Sequence, residues 1–148
     1  MSIVRAAAMI LLCSGIAFAQ KRPIPKTPDV CGLVTKGEVE GALKQAVSKG
    51  PTPGGMGPMT TCEFEIGDGP IKGQWNLQQL TCSEGSFKTL AGASADPITG
   101  IGDVAAWNGD MLTVRKGSQC LFVPGWTGPG SLDIAKVLAG KAVARLPK

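Results

Sequence analysis

Four cysteines constrain the fold of this 148-residue chain more than any other feature: Cys31, Cys62, Cys82 and Cys120. No Cys-x-x-Cys pair occurs, and separations of 31, 20 and 38 positions match no common zinc site or thioredoxin-like redox motif. In a small domain of an oxidising compartment, an even number of cysteines is typical of two disulfides. Each would stabilise the fold by about 2–4 kcal/mol because it restricts the unfolded chain. Of the three possible pairings we favour Cys31–Cys62 with Cys82–Cys120, which would tie the first helix to the first strand and join two strands.

The amino-terminal residues indicate export, which is the condition for that oxidation. Arg5 supplies a positive start, and the 14 residues 6–19 are all apolar or small. Ala17 and Ala19 occupy the two positions that a signal peptidase reads, so we expect cleavage after Ala19 and a secreted or periplasmic protein. A membrane anchor is the less favoured alternative, because a spanning helix needs about 20 apolar residues. Lipidation at Cys13 is not expected, since a large residue precedes it and it lies inside the apolar run.

The composition of the mature chain limits its chemistry. Removal of residues 1–19 leaves 129 residues, enough for one domain, with 14 basic and 11 acidic residues and a net charge of +3. This charge is mild and scattered, so no nucleic-acid partner is expected. The chain has no His and no Tyr, which excludes Ser-His-Asp and Cys-His catalysis as well as zinc sites that use imidazole. We therefore expect no catalytic residues, no metal, no cofactor and no enzyme activity.

A tether and one domain follow the leader. Residues 20–30 carry three prolines and three basic residues. Proline at this density predicts an extended polyproline segment, either a plain tether or a basic arm that contacts an anionic surface. Residues 31–148 then form a single disulfide-stabilised domain.

The first helix of that domain has signals at both ends. Thr35 and Glu38 form a capping box, in which each side chain bonds the backbone of the other. Gly50 followed by Pro51 ends the helix, and glycine and proline over residues 50–60 predict a loop. The apolar side chains between these ends have helical spacing: Val39, Ala42, Leu43, Ala46 and Val47.

Two strands are predicted next. Cys62, Phe64 and Ile66 alternate with polar residues, as in a half-buried strand. Residues 71–82 form the second strand. Its apolar side chains change parity midway, so a bulge is expected near Gln78.

The remaining segments predict a short helix, a meander and a long helix. Ser83 caps the short helix. Asn108-Gly109 is the strongest hairpin signal, because both turn positions require positive φ. It joins the first two of three strands predicted between residues 100 and 126. The last helix runs from its cap Ser131 to about Leu146. Its apolar stripe comprises Leu132, Ala135, Leu138, Ala139, Ala142, Val143 and Leu146. The whole pattern predicts an α+β domain with a single antiparallel β-sheet of four to five strands, flanked by two longer helices and one short helix.

Several short motifs along the domain occur together in one known pattern. Cys31-Gly-Leu-Val-Thr35 followed by Glu38-Val39 resembles the opening "C-x-L-[LV]-T-x-x-E-V" of an uncharacterised bacterial envelope domain, a domain of unknown function best known among actinobacterial lipoproteins. Cys62-Glu-Phe64 and Gly100–Trp107 fit the same family, and the resemblance covers roughly residues 31–146. It implies a Mog1/PsbP-like fold and no known activity. The lipoprotein members carry a lipidation site, whereas Cys13 of this chain is not expected to serve as one, so the resemblance does not imply a membrane tether.

Two kinds of candidate site follow from the sequence. Trp107 and Trp126 are the candidate ligand-binding residues, because both would flank a groove at one end of the meander. A carboxylate-dependent hydrolase would instead need two acidic groups in one cleft. The acidic candidates are Glu63, Glu65, Asp68, Asp103 and Asp110.

These observations favour a non-catalytic binding or interaction module of the cell envelope whose ligand or partner is unknown. One alternative is a small carboxylate-dependent hydrolase acting on envelope polymers. Another is a structural envelope component that acts in a complex. No transmembrane segment is expected after removal of the leader.

Overall fold

The computed structural model describes residues 29–67, 73–127 and 130–147, which form an α+β fold with one antiparallel sheet. The leader and most of the tether lie outside these residues. A 3₁₀ turn at Val30–Gly32 precedes the three described α-helices, which are α1 (Lys36–Leu43), α2 (Glu84–Ala91) and α3 (Ser131–Arg145). The described strands are β1 (Val47–Met56), β2 (Met59–Ile66), β3 (Gly73–Thr81), β4 (Asp96–Ile98), β5 (Val104–Trp107), β6 (Met111–Lys116) and β7 (Gln119–Pro124). Their order across the sheet is β1-β2-β3-β7-β6-β5-β4.

The main core lies between one face of the sheet and the pair α1 and α3. Phe64, Trp75 and Leu77 project from β2 and β3 with period-2 spacing and are fully buried. Because the buried face of α3 is rich in alanine, its axis can approach the sheet closely. Its buried residues are Ala135, Leu138, Ala139 and Ala142, all members of the stripe predicted from the sequence.

A second, smaller core lies on the opposite face of the sheet. There α2 packs Phe87 and Ala91 against Ala106 and Phe122 of the meander. The amide of Ser86 donates to the Ser83 Oγ at 3.1 Å, which confirms Ser83 as the cap of this helix. Both faces of the sheet therefore carry helices.

The two disulfides are those that the sequence favoured. Cys31 in the 3₁₀ turn bonds Cys62 in β2, with 5.0 Å between their Cα atoms. Cys82, directly after β3, bonds Cys120 in β7, with 5.7 Å between Cα atoms. The first joins the amino-terminal turn to the sheet, and the second holds the start of α2 against it.

The predicted strand and helix counts need correction. The described residues contain seven strands, not four to five, and α1 and α2 have eight residues each, so only α3, with 15, is long. The sequence missed β1 and β4. Three residues are too few to show a period-2 pattern in β4.

The first helix ends earlier than predicted, and the predicted loop is a strand. Lys44 takes a left-handed conformation with φ 57° and ends α1 after Leu43. Residues 47–56 then pair with β2, with register shifts before Thr52 that accommodate Gly50 and Pro51. A Cβ on Gly50 would lie 2.7 Å from the carbonyl oxygen of Glu63, so this close approach requires glycine. Pairing across the sheet outweighs the low strand propensity of these residues.

Proline also marks both edges of the sheet. The edge strand β1 contains Pro51 and Pro53, and the opposite edge strand β4 contains Pro97. Proline has no amide hydrogen, so it is tolerated where a strand pairs on one side only. Neither edge consequently presents an unbroken row of backbone donors.

The bulge predicted near Gln78 is wrong. Pairing of β3 with β2 and with β7 continues without a register shift. Gln79 instead occupies a fully buried position on the main-core face, where its Nε2 donates to the Gln119 Oε1 at 3.0 Å. Leu80 and Cys82 point to the second core. The apolar side chains of β3 therefore switch from one face of the strand to the other because each face packs against a different core, and the strand itself is not interrupted.

The structure differs from the prediction at one turn and at one helix cap. Of the described residues other than glycine, Lys44 alone has positive φ, so Asn108 does not adopt the conformation expected of the hairpin turn. Its Oδ1 instead accepts from the amides of Asp110 and Met111, at 3.2 and 2.9 Å. Ser131 is the first residue of α3 rather than its cap, a position taken by Gly130 with φ 82°.

A candidate ligand-binding groove between two helices

A groove of about 370 Å³ lies between α1 and α3 on the outside of the main core. Its floor consists of Gly41 and Ala42 from α1 and of Ile134 and Val137 from α3. This volume is near the lower end of the range for small-molecule pockets, about 300–1,000 Å³. We refer to this feature as the α1–α3 groove.

The floor of the α1–α3 groove is apolar and open. A Cβ on Gly41 would meet no atom within 4 Å, so the helix leaves free space where another residue would fill it. Val137 is 53% exposed, one of the most exposed large apolar side chains in the described part of the chain. Ile134 packs against the main core below it. An apolar surface that the described residues leave uncovered is a feature of ligand and partner sites.

An ion pair fixes the two helices relative to each other. Arg145 near the end of α3 donates from Nη1 and Nη2 to the two carboxylate oxygens of Glu38, each at 2.7 Å. The Arg145 Nη1 also donates to the carbonyl oxygen of Leu33 at 2.8 Å. Because Glu38 begins α1 and Arg145 ends α3, the helices run antiparallel along the groove. Bidentate pairs of this kind are geometrically specific.

Glu38 both caps α1 and forms the ion pair with Arg145. Its amide donates to the Thr35 Oγ1 at 3.3 Å and its carboxylate accepts from the Thr35 amide at 2.9 Å, which confirms the capping box. Hydrogen bonds from Arg145 chiefly, and from Thr35, lower the pKa of Glu38 from 4.5 to about 2, against the opposing effect of burial. The carboxylate is thus ionised and already neutralised by a partner at ordinary pH.

The remaining charges at the rim have no such partners. Lys44, Asp133 and Lys141 line the groove, and none of them forms an ion pair within the described ranges. Asp133 and Lys141 are eight residues apart on α3, or about 12 Å along its axis. The rim therefore offers two ammonium groups, Lys44 at the end of α1 and Lys141 near the end of α3, and the carboxylate of Asp133 near the start of α3.

Trp107 and Trp126 lie close to Gly125 and pack against the main core. A Cβ on Gly125 would lie 2.8 Å from the Trp107 Cη2, and one on Gly73 would lie 3.8 Å from the Trp126 Cη2. Both side chains are half-buried, and neither lines the α1–α3 groove. Their role in ligand binding stays a prediction.

Of the described acidic candidates, Glu63 and Glu65 are neighbours on one face of β2, about 7 Å apart along the strand, and Glu65 accepts from the Lys49 Nζ at 3.2 Å. Asp103 accepts from the Lys116 Nζ at 2.9 Å and from the Gly117 amide at 2.7 Å, and these bonds, that of Lys116 first, lower its pKa. Glu63 and Glu65 in β2 are separated from it by three or more strand spacings, about 14 Å or more. Asp110 lies at the opposite end of β6 from Asp103, and the two residues are roughly 20 Å apart along the strand. Asp68 is outside the described residues.

The described ranges contain neither a cluster of metal-ligating side chains nor a membrane-spanning helix. No three acidic or cysteine side chains come together there as metal ligands would. None of the helices in these ranges has the length and apolar character needed to cross a bilayer.

Sequence reasoning missed the α1–α3 groove because each helix contributes only half of it. Ile134 and Val137 fall outside the apolar stripe predicted for the last helix, and Gly41 is an isolated glycine within the first. Unused apolar residues on one helix and a glycine on another were the available signals. Their meeting depends on the packing of α1 on α3.

No family model matches the chain, and searches of the curated proteins and of the solved structures found no match. The resemblance to the envelope domain and to a Mog1/PsbP-like fold therefore stays a prediction from the quoted motifs.

Proposed function

We propose that this protein is an exported, non-catalytic binding module of the cell envelope and that the α1–α3 groove receives its ligand. The observation that carries the proposal is the open apolar floor of that groove, where Gly41 leaves space and Val137 is exposed. A ligand that covered this floor would remove apolar surface from water, which is the main favourable term in most association.

The disulfides support the assignment to an exported protein. Two cysteine pairs are bonded, and structural disulfides persist in oxidising compartments. The leader-like residues 6–19 point the same way.

Binding is favoured over hydrolysis by the placement of the described carboxylates. Asp103 is engaged with Lys116 and Gly117, and Glu38 is engaged with Arg145. A glycosidase pair would require two carboxyl groups about 5–10 Å apart on either side of a substrate. Glu63 and Glu65 are about that far apart, but both project from the same face of β2 and therefore cannot flank a substrate. Nothing in the described residues favours a structural role in a larger complex over binding.

A matched pair of glycine substitutions tests the site. Gly41 and Gly140 both lie in helices, and a Cβ on either would meet no atom within 4 Å, but Gly41 alone lines the groove. The oxidised protein would be titrated with 1-decanol and followed by ¹H–¹⁵N correlation spectra. Saturable shifts should concentrate on α1 and α3 in the wild type and in Gly140→Leu, and should be lost in Gly41→Leu. Shifts that are absent, or unchanged in Gly41→Leu, would refute the assignment.

A further inference from the structure

We infer that the α1–α3 groove takes a free single-chain anionic amphiphile, such as a fatty carboxylate, with its chain on the floor and its head group at Lys44 and Lys141. This inference rests on the proposed function and adds the chemistry of the ligand to it.

The net charge at the rim of the groove favours an anionic head group. The four charged residues of the rim sum to zero, but Glu38 is neutralised by Arg145, which is not among the lining residues. The two lysines and Asp133 then leave a net charge of +1 facing the groove. Unpaired ammonium groups attract carboxylates and phosphates, and this complementarity favours an anion over a neutral or cationic head group.

The backbone at Lys44 supports its role. Lys44 ends α1 with φ 57°, a left-handed conformation that costs less for glycine than for any residue with a Cβ. The chain nevertheless places a long cationic side chain at this point of the rim. Strained residues of this kind concentrate at ligand sites.

The length and volume of the α1–α3 groove fit one short acyl chain. The floor extends along α3 between Asp133 and Lys141, about 12 Å, and the groove volume of about 370 Å³ is small for a ligand site. Such a groove suits a single acyl chain better than a two-chain lipid. The small side chains of Gly41 and Ala42 allow that chain to lie against the backbone of α1.

Three probes with the same chain and different head groups test the inference. Decanoate, 1-decanol and decyltrimethylammonium would be titrated into the oxidised protein below their micelle-forming concentrations, with affinity measured by calorimetry and the site located by ¹H–¹⁵N spectra. Decanoate should bind most tightly, decyltrimethylammonium least, and the advantage of decanoate over decanol should shrink as salt is added. Gly41→Leu should weaken all three by about tenfold or more, since it fills the space that the chain requires.

Lysine variants separate the head group from the chain. Lys44→Gln and Lys141→Gln should each weaken decanoate about two- to fivefold, the effect of one exposed ion pair, and leave decanol unchanged. Lys136→Gln is the matched control, because Lys136 is on α3 but does not line the groove.

The outcomes distinguish the two proposals. Equal binding of decanol and decanoate, tighter binding of the cation, or lysine variants that behave like the control would overturn the anionic ligand and leave the groove as the binding site. Binding to anionic phospholipid vesicles without binding of free decanoate would also overturn it. Failure of all three probes to shift the resonances of α1 and α3 would overturn the proposed function as well.

Discussion

Removal of the Arg145 side chain should destabilise the protein by an amount that depends on pH. The fall in the pKa of Glu38 from 4.5 to about 2 corresponds to about 3 kcal/mol at 1.36 kcal/mol per pKa unit. Part of this comes from Thr35, and the Arg145 side chain is 39% exposed, so water and salt weaken its share. We therefore expect Arg145→Ala to lower the free energy of unfolding by about 1–2 kcal/mol at pH 7.

The sign of the pH dependence follows from the direction of the pKa. A carboxylate with a lower pKa in the folded protein stabilises it above the unfolded value, and this contribution is lost as the pH falls from about 4.5 to about 2. Urea unfolding of the oxidised wild type and of Arg145→Ala should show a difference that is constant from pH 7 to about 5 and small at pH 2. Lys136→Ala, on the same helix, should differ little from wild type throughout. A deficit for Arg145→Ala that is as large at pH 2 as at pH 7 would show that the arginine acts by packing, and would refute the ion-pair reasoning.

Two further predictions concern stability. The double variant Cys82→Ser/Cys120→Ser should lower the free energy of unfolding by about 2–4 kcal/mol and speed amide exchange in α2, both measurable on the purified protein; unchanged exchange in α2 would contradict the role assigned to this disulfide. Gly125→Ala should cost about 1–3 kcal/mol because its Cβ would overlap the Ser131 Oγ and lie 2.8 Å from the Trp107 Cη2, whereas Gly140→Ala should stabilise by about 0.5–1 kcal/mol through helix propensity. Thermal unfolding followed by tryptophan fluorescence compares the two, and equal melting temperatures would count against the contact.

The elements that the sequence predicted well are those with local signals. The capping box of Thr35 and Glu38, the cap at Ser83 and the meander around Asn108 depend on residues a few positions apart, and the structure contains all of them. The pairing of the cysteines was also correct, although the sequence alone left three choices open.

The elements that were missed depend on distant partners. Residues 47–56 have the glycine and proline content of a loop, and they form a strand because β2 offers a free edge to pair with. Gln79 is polar and nothing near it in the sequence indicates burial; the partner to which its Nε2 donates is Gln119, 40 positions later. The α1–α3 groove was missed for the same reason, since Ile134 and Gly41 become neighbours only when the helices pack.

The prolines at the two edges of the sheet affect whether molecules of this protein can associate through their strands at high concentration. A seven-stranded sheet with open ends could recruit a second molecule strand by strand and grow into fibrils. Pro51 and Pro53 on one side and Pro97 on the other interrupt the template that such growth requires. Pairing of two molecules through the edges of their sheets is therefore opposed at both ends of the sheet.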